Sequence, residues 1–206
     1  MYYFKTILVL LVAMIAISCT KNKKTETTET DATGNAPTIK IKTNDATLLW
    51  TAYKFTAKAG VGGKFDTIYV DAPRISGTAE DILVGGSISI PTSSINSNNI
   101  IRDPKIRESF FGTLNTPTIQ GKIISASDGK GEMELTMNGI KASNPYQYEV
   151  NDTALVVISS IDVSNWNGGE AISALNKVCE ALHTGDDGTS KLWPDVDVVL
   201  SLPLAQ

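Results

Sequence analysis

Beyond residue 38, apolar and polar positions alternate along most of the chain, and a two-residue period predicts strands with two distinct faces. Leu49, Thr51, Tyr53 and Phe55 alternate with Trp50, Ala52 and Lys54. The glycine-rich stretch 58–63 reads as a turn and 64–70 as the returning strand. Another strand is expected over 82–90, stopped by Pro91, with Ile95 beyond it; Glu80 and Asp81 ahead of it read as solvated loop charge. Met133, Leu135 and Met137 alternate with Glu132, Glu134 and Thr136, and Asn138-Gly139 follows. That pair signals a tight hairpin, because both residues tolerate the positive φ of a type I′ turn. Residues 140–150 return, and Asn144-Pro145 within them suggests an edge or a bulge. A β-branched run at 153–163 is a further strand, and Val196, Val198 and Leu200 alternate with Asp195, Asp197 and Val199 in a last one.

Helical spacing appears in two places. Ile172, Leu175, Val178, Cys179 and Leu182 form a stripe that predicts a helix over 169–183, with Gly185 at its C-cap and Asp186-Asp187-Gly188 as a turn. The second is the opening of the stretch 101–123. There Asp103 can cap a turn that has Pro104 inside it, where a missing N–H is harmless. Ile106, Phe110 and Phe111 then carry two aromatic rings toward a core, before Gly112 and Pro117 break the run and a strand begins at Thr118. The expected fold is all-β, an antiparallel barrel or sandwich with one helix in its C-terminal half and a short helix near 103–111.

The N-terminus changes the picture. Lys5 and the unbroken apolar run 7–17 read as a signal peptide over 1–18, too short for a permanent span. The run ends at Ala16-Ile17-Ser18-Cys19, which resembles a bacterial lipobox; Cys19 would become the acylated first residue of a lipoprotein. Residues 19–37 read as a flexible tether, polar and rich in Thr, Lys and Glu, with a reach of roughly 20–25 Å. The folded domain is then 38–206. Loss of Lys5 would move the formal charge from −4 to −5. A mildly acidic chain without a basic stripe argues against a nucleic-acid partner. Cys179 would be the remaining thiol, so the fold must rest on its core rather than on a disulfide.

Catalytic chemistry finds little support. With one histidine, a hydrolytic triad would need His183, and its neighbours supply no nucleophile elbow. The pairs Glu132/Glu134 and Asp195/Asp197 fall on the solvent face of their strands, and Asp186/Asp187 sits in a turn too short for a calcium loop. Cys179 and His183, four apart on a helix, could share a metal, but two ligands are too few for a tight site. The bland alternative is a buried thiol and a last-turn histidine that is favourable there when charged. The chain is therefore read as a non-enzyme without a cofactor.

The order Arg102-Asp103, Phe110-Phe111, Pro117, strand, together with the Gly63-Lys64-Phe65 segment and the GEMELTMNGI hairpin, resembles the YceI-like family of lipocalin-like, polyisoprenoid-binding barrels. In that family the Phe-Phe is usually flanked by acidic residues; here Ser109 and Gly112 take those places. Residues 165–202, with their added helix, also depart from the simplest members. The resemblance implies an up-and-down barrel around an apolar tunnel for an isoprenoid chain. In a barrel of eight strands, core and pocket share one surface, which makes Trp50, Tyr53, Phe55, Phe65, Phe110, Phe111 and Trp166 candidate lining residues. Arg102 is the candidate polar group at the mouth, with Lys105 and Arg107 behind it. The expected protein is a lipid-anchored carrier of an apolar lipid, as a monomer or a homodimer, in the bacterial cell envelope, at the outer membrane or its periplasmic face. The alternative is a filled, non-binding envelope or stress-response module.

Overall fold

The computed structural model describes residues 37–205. The signal peptide, Cys19 and all but the last residue of the tether lie outside them. Twelve strands follow in chain order: β1 (Ile39–Lys40), β2 (Thr47–Lys54), β3 (Ala59–Phe65), β4 (Tyr69–Asp71), β5 (Ser76–Gly77), β6 (Ser87–Pro91), β7 (Ile95–Asn96), β8 (Thr118–Ser127), β9 (Lys130–Met137), β10 (Ile140–Val150), β11 (Ala154–Asp162) and β12 (Leu192–Pro203). Four short α-helices join them: α1 (Ala79–Leu83), α2 (Arg102–Lys105), α3 (Gly169–Val178) and α4 (Glu180–His183). A π-helix spans Ile106–Phe111.

Strands β1 and β5 form a small ladder of their own. The other ten make one antiparallel sheet, in the order β4-β6-β8-β9-β10-β11-β12-β2-β3-β7, curled into a half-barrel. Its two edges are tied together by the chain. β3 is next to one edge and β4 is the other edge, yet four Cα steps separate Phe65 from Tyr69, a span of at most about 14 Å. β6 and β7 are joined as tightly, across residues 92–94. The Asp66 amide donates to the Ser94 carbonyl (2.9 Å), and the Ser94 hydroxyl donates to the Thr67 carbonyl (3.1 Å), so the two crossings run in step. Taken as one bent strand each, β3/β4 and β6/β7 turn the ten strands into eight staves. This is the all-β, antiparallel barrel that the alternation predicts, in the lipocalin-like form that the resemblance implies.

Several local expectations are corrected. Residues 59–63 lie within β3 and not in a turn; Phe55 and Lys58, both at positive φ, make the turn instead. Gly63 answers a packing need, since a Cβ there would stand 2.3 Å from the Trp50 ring. Ile82 and Leu83 belong to α1 rather than to a strand. Thr78 and Asp81 form a reciprocal capping box there, and Glu80 accepts a hydrogen bond from Tyr148, so neither carboxylate is idle loop charge. The cap of α2 comes from Asn99, whose side chain accepts from the amides of Ile101 and Arg102. Asp103 accepts instead from the amide and hydroxyl of Ser97.

Pro145 is in neither an edge strand nor a bulge, because β10 is paired with β9 in unbroken register from Ile140 to Gln147. The ladder from β10 to β11 does run only over Gln147–Val150. Beyond it the Asn144 side chain bridges the gap, donating to Ser159 Oγ (2.7 Å) and to the Ser160 carbonyl (3.2 Å). The C-terminal helix is broken at Cys179 (φ −123°), which leaves α3 and α4 as separate pieces. Its stripe is split accordingly: Cys179 is buried, whereas Val178 and Leu182 face solvent. Gly185 does not cap it; Thr184 does, in extended conformation, and Gly188 takes the positive φ of the following turn.

The register places the two ends of the barrel. Thr47, Ser127, Lys130, Val150 and Ala154 mark one end, which α1 plugs with Ile82 and Leu83. At the other, beside Lys54, Ala59 and Leu192, α3 packs against the π-helix. Two apolar clusters fill the space between. The larger centres on Trp166, Leu155, Leu114 and Ile82; the smaller joins Trp50, Ile95 and Phe111. Among the described residues, no buried side-chain nitrogen or oxygen lacks a hydrogen-bond partner.

Candidate ligand-binding cavity

A cavity of about 230 Å³ lies along the barrel axis between the two clusters. Its wall follows from strand alternation. β2 turns Leu48, Trp50 and Ala52 inward, β9 turns Met133, Leu135 and Met137, and β12 turns Val196, Val198, Leu200 and Leu202. Gly121 on β8 keeps the bore open, since a Cβ there would press on Ile88 and Leu135 at 2.9 and 3.1 Å. The helices supply the cover, with Ile106, Phe110 and Phe111 from the π-helix and Ile172 and Leu175 from α3.

The wide π turn explains how adjacent phenylalanines both serve the interior. The Gly112 amide reaches back five residues to the Arg107 carbonyl (2.9 Å), which under-winds the helix at that point. The rings meet edge to face, 5.1 Å between centroids, and Phe65 adds a third ring 6.3 Å from Phe111. Polar groups on the wall are few. Ser159 is one, and its hydroxyl already donates to the Pro145 carbonyl (2.7 Å) while accepting from Asn144. Such a surface offers mainly apolar contact.

Of the aromatic residues singled out by sequence, Trp50, Tyr53, Phe65, Phe110 and Phe111 line the cavity. Phe55 and Trp166 do not. Phe55 sits in the β2–β3 turn, with its carbonyl accepting from the Trp193 indole (2.7 Å). Trp166 is fully buried below the wall, and its indole donates to the Leu135 carbonyl (3.0 Å). Arg102 stands apart from the cavity as well, because its guanidinium is held by Ser97, Nε to Oγ at 2.8 Å and Nη2 to the carbonyl at 2.9 Å.

The wall also contains residues not nominated from sequence. Those of β9 and β12 follow the alternation already visible there. Trp193 does not: it joins the wall because β12 bulges against β2 between Leu192 and Val196. Two lysines lie on its indole, Lys191 at 3.6 Å and Lys58 at 5.2 Å from the ring centre.

The carboxylate pairs are engaged on the outside. Asp195 is paired with Lys58 (2.9 Å) and Glu134 with Lys141 (2.9 Å). Glu132 accepts from Ser143 (2.6 Å), and Asp197 accepts from Tyr53, which holds its carboxyl below the ordinary range. Cys179 is buried, and His183 is turned to Asn176 through Nδ1 (3.0 Å). Burial first, then Lys54 and Lys105, lower the imidazole to about 4, so it is neutral rather than a charged helix-end group at pH 7. The described residues contain no cluster of three or more His, Cys, Asp or Glu side chains suited to a metal ion.

The profile of the YceI-like domain matches residues 27–202. Among curated proteins none matches the chain. Solved structures do, at identities low enough that the likeness concerns the fold alone. A polyisoprenoid-binding domain from Saccharophagus degradans, described as implicated in plant cell wall breakdown, superposes with a TM-score of 0.55 at 12% identity, covering 80% of this chain and 96% of its own. Burkholderia cenocepacia BcnA gives 0.51 at 14%, covering 81% and 99%. The Campylobacter jejuni YceI protein gives 0.53 at 16%, covering 74% and 90%. A profile match over most of the chain, on a curled antiparallel sheet with an apolar bore, places this protein in the YceI-like domain family.

Proposed function

We propose that this chain is a membrane-tethered lipoprotein of the bacterial cell envelope that binds or carries an apolar lipid, of polyisoprenoid type, without chemistry of its own. The observation that carries the reading is the nearly all-apolar cavity inside a sheet capped by helices at both ends. The hollow favours a carrier over a filled, purely structural module. A polyisoprenoid-binding domain among the structural neighbours supports the ligand class. The tether reading rests on Cys19 and the apolar run before it.

Magnitudes favour a long chain over a small apolar molecule. Each buried methylene contributes about 0.8 kcal/mol, so about ten of them give roughly 8 kcal/mol. Association alone costs on the order of 4–15 kcal/mol, which some twenty buried carbons, at roughly 16 kcal/mol, would offset.

Native mass spectrometry and solvent extraction of the protein purified from its source test the proposal. A prenyl lipid recovered at one per chain is expected. Protein that carries no lipid and takes up none from prenol-loaded micelles would end it. Intact mass of the mature protein tests the anchor separately, through acyl groups on Cys19.

A further inference from the structure

The helical end of the barrel exposes large apolar side chains that no packing role accounts for. Ile100 and Ile101, side by side ahead of α2, are 89% and 71% exposed. Across from them, at the break between α3 and α4, Val178 is 47% and Leu182 61% exposed. The two groups belong to one surface. Lys105, one turn beyond Ile101, donates to the Val178 carbonyl (3.3 Å), and both border a shallow depression that also takes in Leu182.

The rim of this surface is basic in a chain of net charge −4. Lys54 donates to the Leu182 carbonyl (2.8 Å), Lys105 to that of Val178, and Lys177 borders the depression; Glu180 is the one acidic residue among those bordering it. Among the described residues none of the three lysines has a carboxylate within 4 Å. Exposed aliphatic side chains ringed by unpaired lysines match an interface with apolar depth below and anionic charge above.

We infer that this end of the barrel docks onto the surface of an anionic phospholipid bilayer, with Ile100, Ile101, Val178 and Leu182 in the acyl boundary and Lys54, Lys105 and Lys177 among the headgroups. The π-helix and α3, which cover the cavity, adjoin this surface, so the docked end is the one through which an apolar ligand passes. The inference concerns orientation on the membrane and goes beyond the tether, which fixes only proximity.

The mature chain from residue 20, which lacks both the signal peptide and the acylation point, is labelled with bimane at Ile101→Cys or, as a control on the barrel wall, at Tyr69→Cys. Cys179 is buried and takes no label. On vesicles of phosphatidylglycerol and phosphatidylethanolamine, the Ile101 label shifts to the blue and is quenched by brominated acyl chains, while the Tyr69 label stays as in water. Ile100→Ser with Ile101→Ser weakens binding roughly tenfold in a companion flotation experiment. Lys105→Glu or Lys177→Glu weakens it about fivefold on anionic vesicles and not on phosphatidylcholine. Equal behaviour of the two labels overturns the inference, as does a concentration-dependent dimer that buries Ile101 without lipid. Neither result touches the cavity, whose lipid content is read by extraction.

Discussion

Gly63 and Trp50 share one space: the backbone of β3 runs under the indole so closely that a Cβ would come within 2.3 Å of the ring. A second obstacle, the Asn96 carbonyl at 2.7 Å, bars escape on the other side. The indole itself is fixed by its N–H, which donates to the Lys64 carbonyl (3.1 Å). Gly63→Ala therefore displaces a wall residue of the cavity. A loss of about 2–4 kcal/mol is expected in urea unfolding, with the tryptophan emission of the native state shifted.

Ala52 lines the bore from β2. Ala52→Phe fills part of the hollow without touching the caps. Binding of an apolar fluorescent probe such as N-phenylnaphthylamine should fall at least about tenfold, while overpacking costs roughly 1–3 kcal/mol of stability. Unchanged probe affinity would place the ligand elsewhere.

Arg102 holds Ser97 through two hydrogen bonds, and Ser97 in turn donates to Asp103. Arg102→Ala is expected to cost about 1–3 kcal/mol and to raise hydrogen exchange over residues 97–103. Lipid uptake at saturating protein should stay the same. A loss of uptake with native stability would instead restore Arg102 to the mouth of the cavity.

Tyr148 ties the plug to the wall by donating to Glu80 on α1. The bond holds the Glu80 carboxyl below its ordinary value, while burial, then the bond itself, pushes the phenol up to about 12. Tyr148→Phe should destabilise by about 1–2 kcal/mol and loosen α1, seen as faster exchange of the Ile82 and Leu83 amides.

His183 gives a pH signature. Its folded value near 4 lies below the unfolded 6.5, so between the two the unfolded chain binds the extra proton. Stability from this group is full above pH 6.5 and is lost as pH falls toward 4. The loss amounts to about 1–2 kcal/mol once screening at a partly exposed site is allowed for. His183→Gln should flatten the unfolding free energy between pH 6.5 and 4, measured by urea titration, and leave the slope below pH 4 to the carboxylates.

Much of the fold was legible because one period governs it. Met133, Leu135 and Met137 announced both a strand and its inner face, and Asn138-Gly139 announced the turn, with φ of 50° and 69°. In the run from Arg102 to Phe111 a short helix with the proline in its first turn was open to reading, though neither its Asn99 cap nor its π turn was. What the sequence hid was tertiary. Ile82 and Leu83 look like strand residues until the Thr78–Asp81 box decides for a helix. Glycines 60, 62 and 63 look like a turn until the register places them in β3, where Trp50 needs the room at Gly63. Arg102 looked free because nothing in the chain shows that Ser97 folds back onto it. Phe55 and Trp166 share the composition of a pocket residue, and only the register puts one in a turn and the other in the solid part of the core.

The corner where residues 66–68 and 92–94 pass one another, pinned by Ser94, gives the tube a crease instead of a seam. Elsewhere, changing the girth means breaking rows of amide pairs; here two short linkers need only rotate. The girth of the barrel is expected to be most easily changed at that fold, so relatives with barrels of different width should differ there before they differ along the staves.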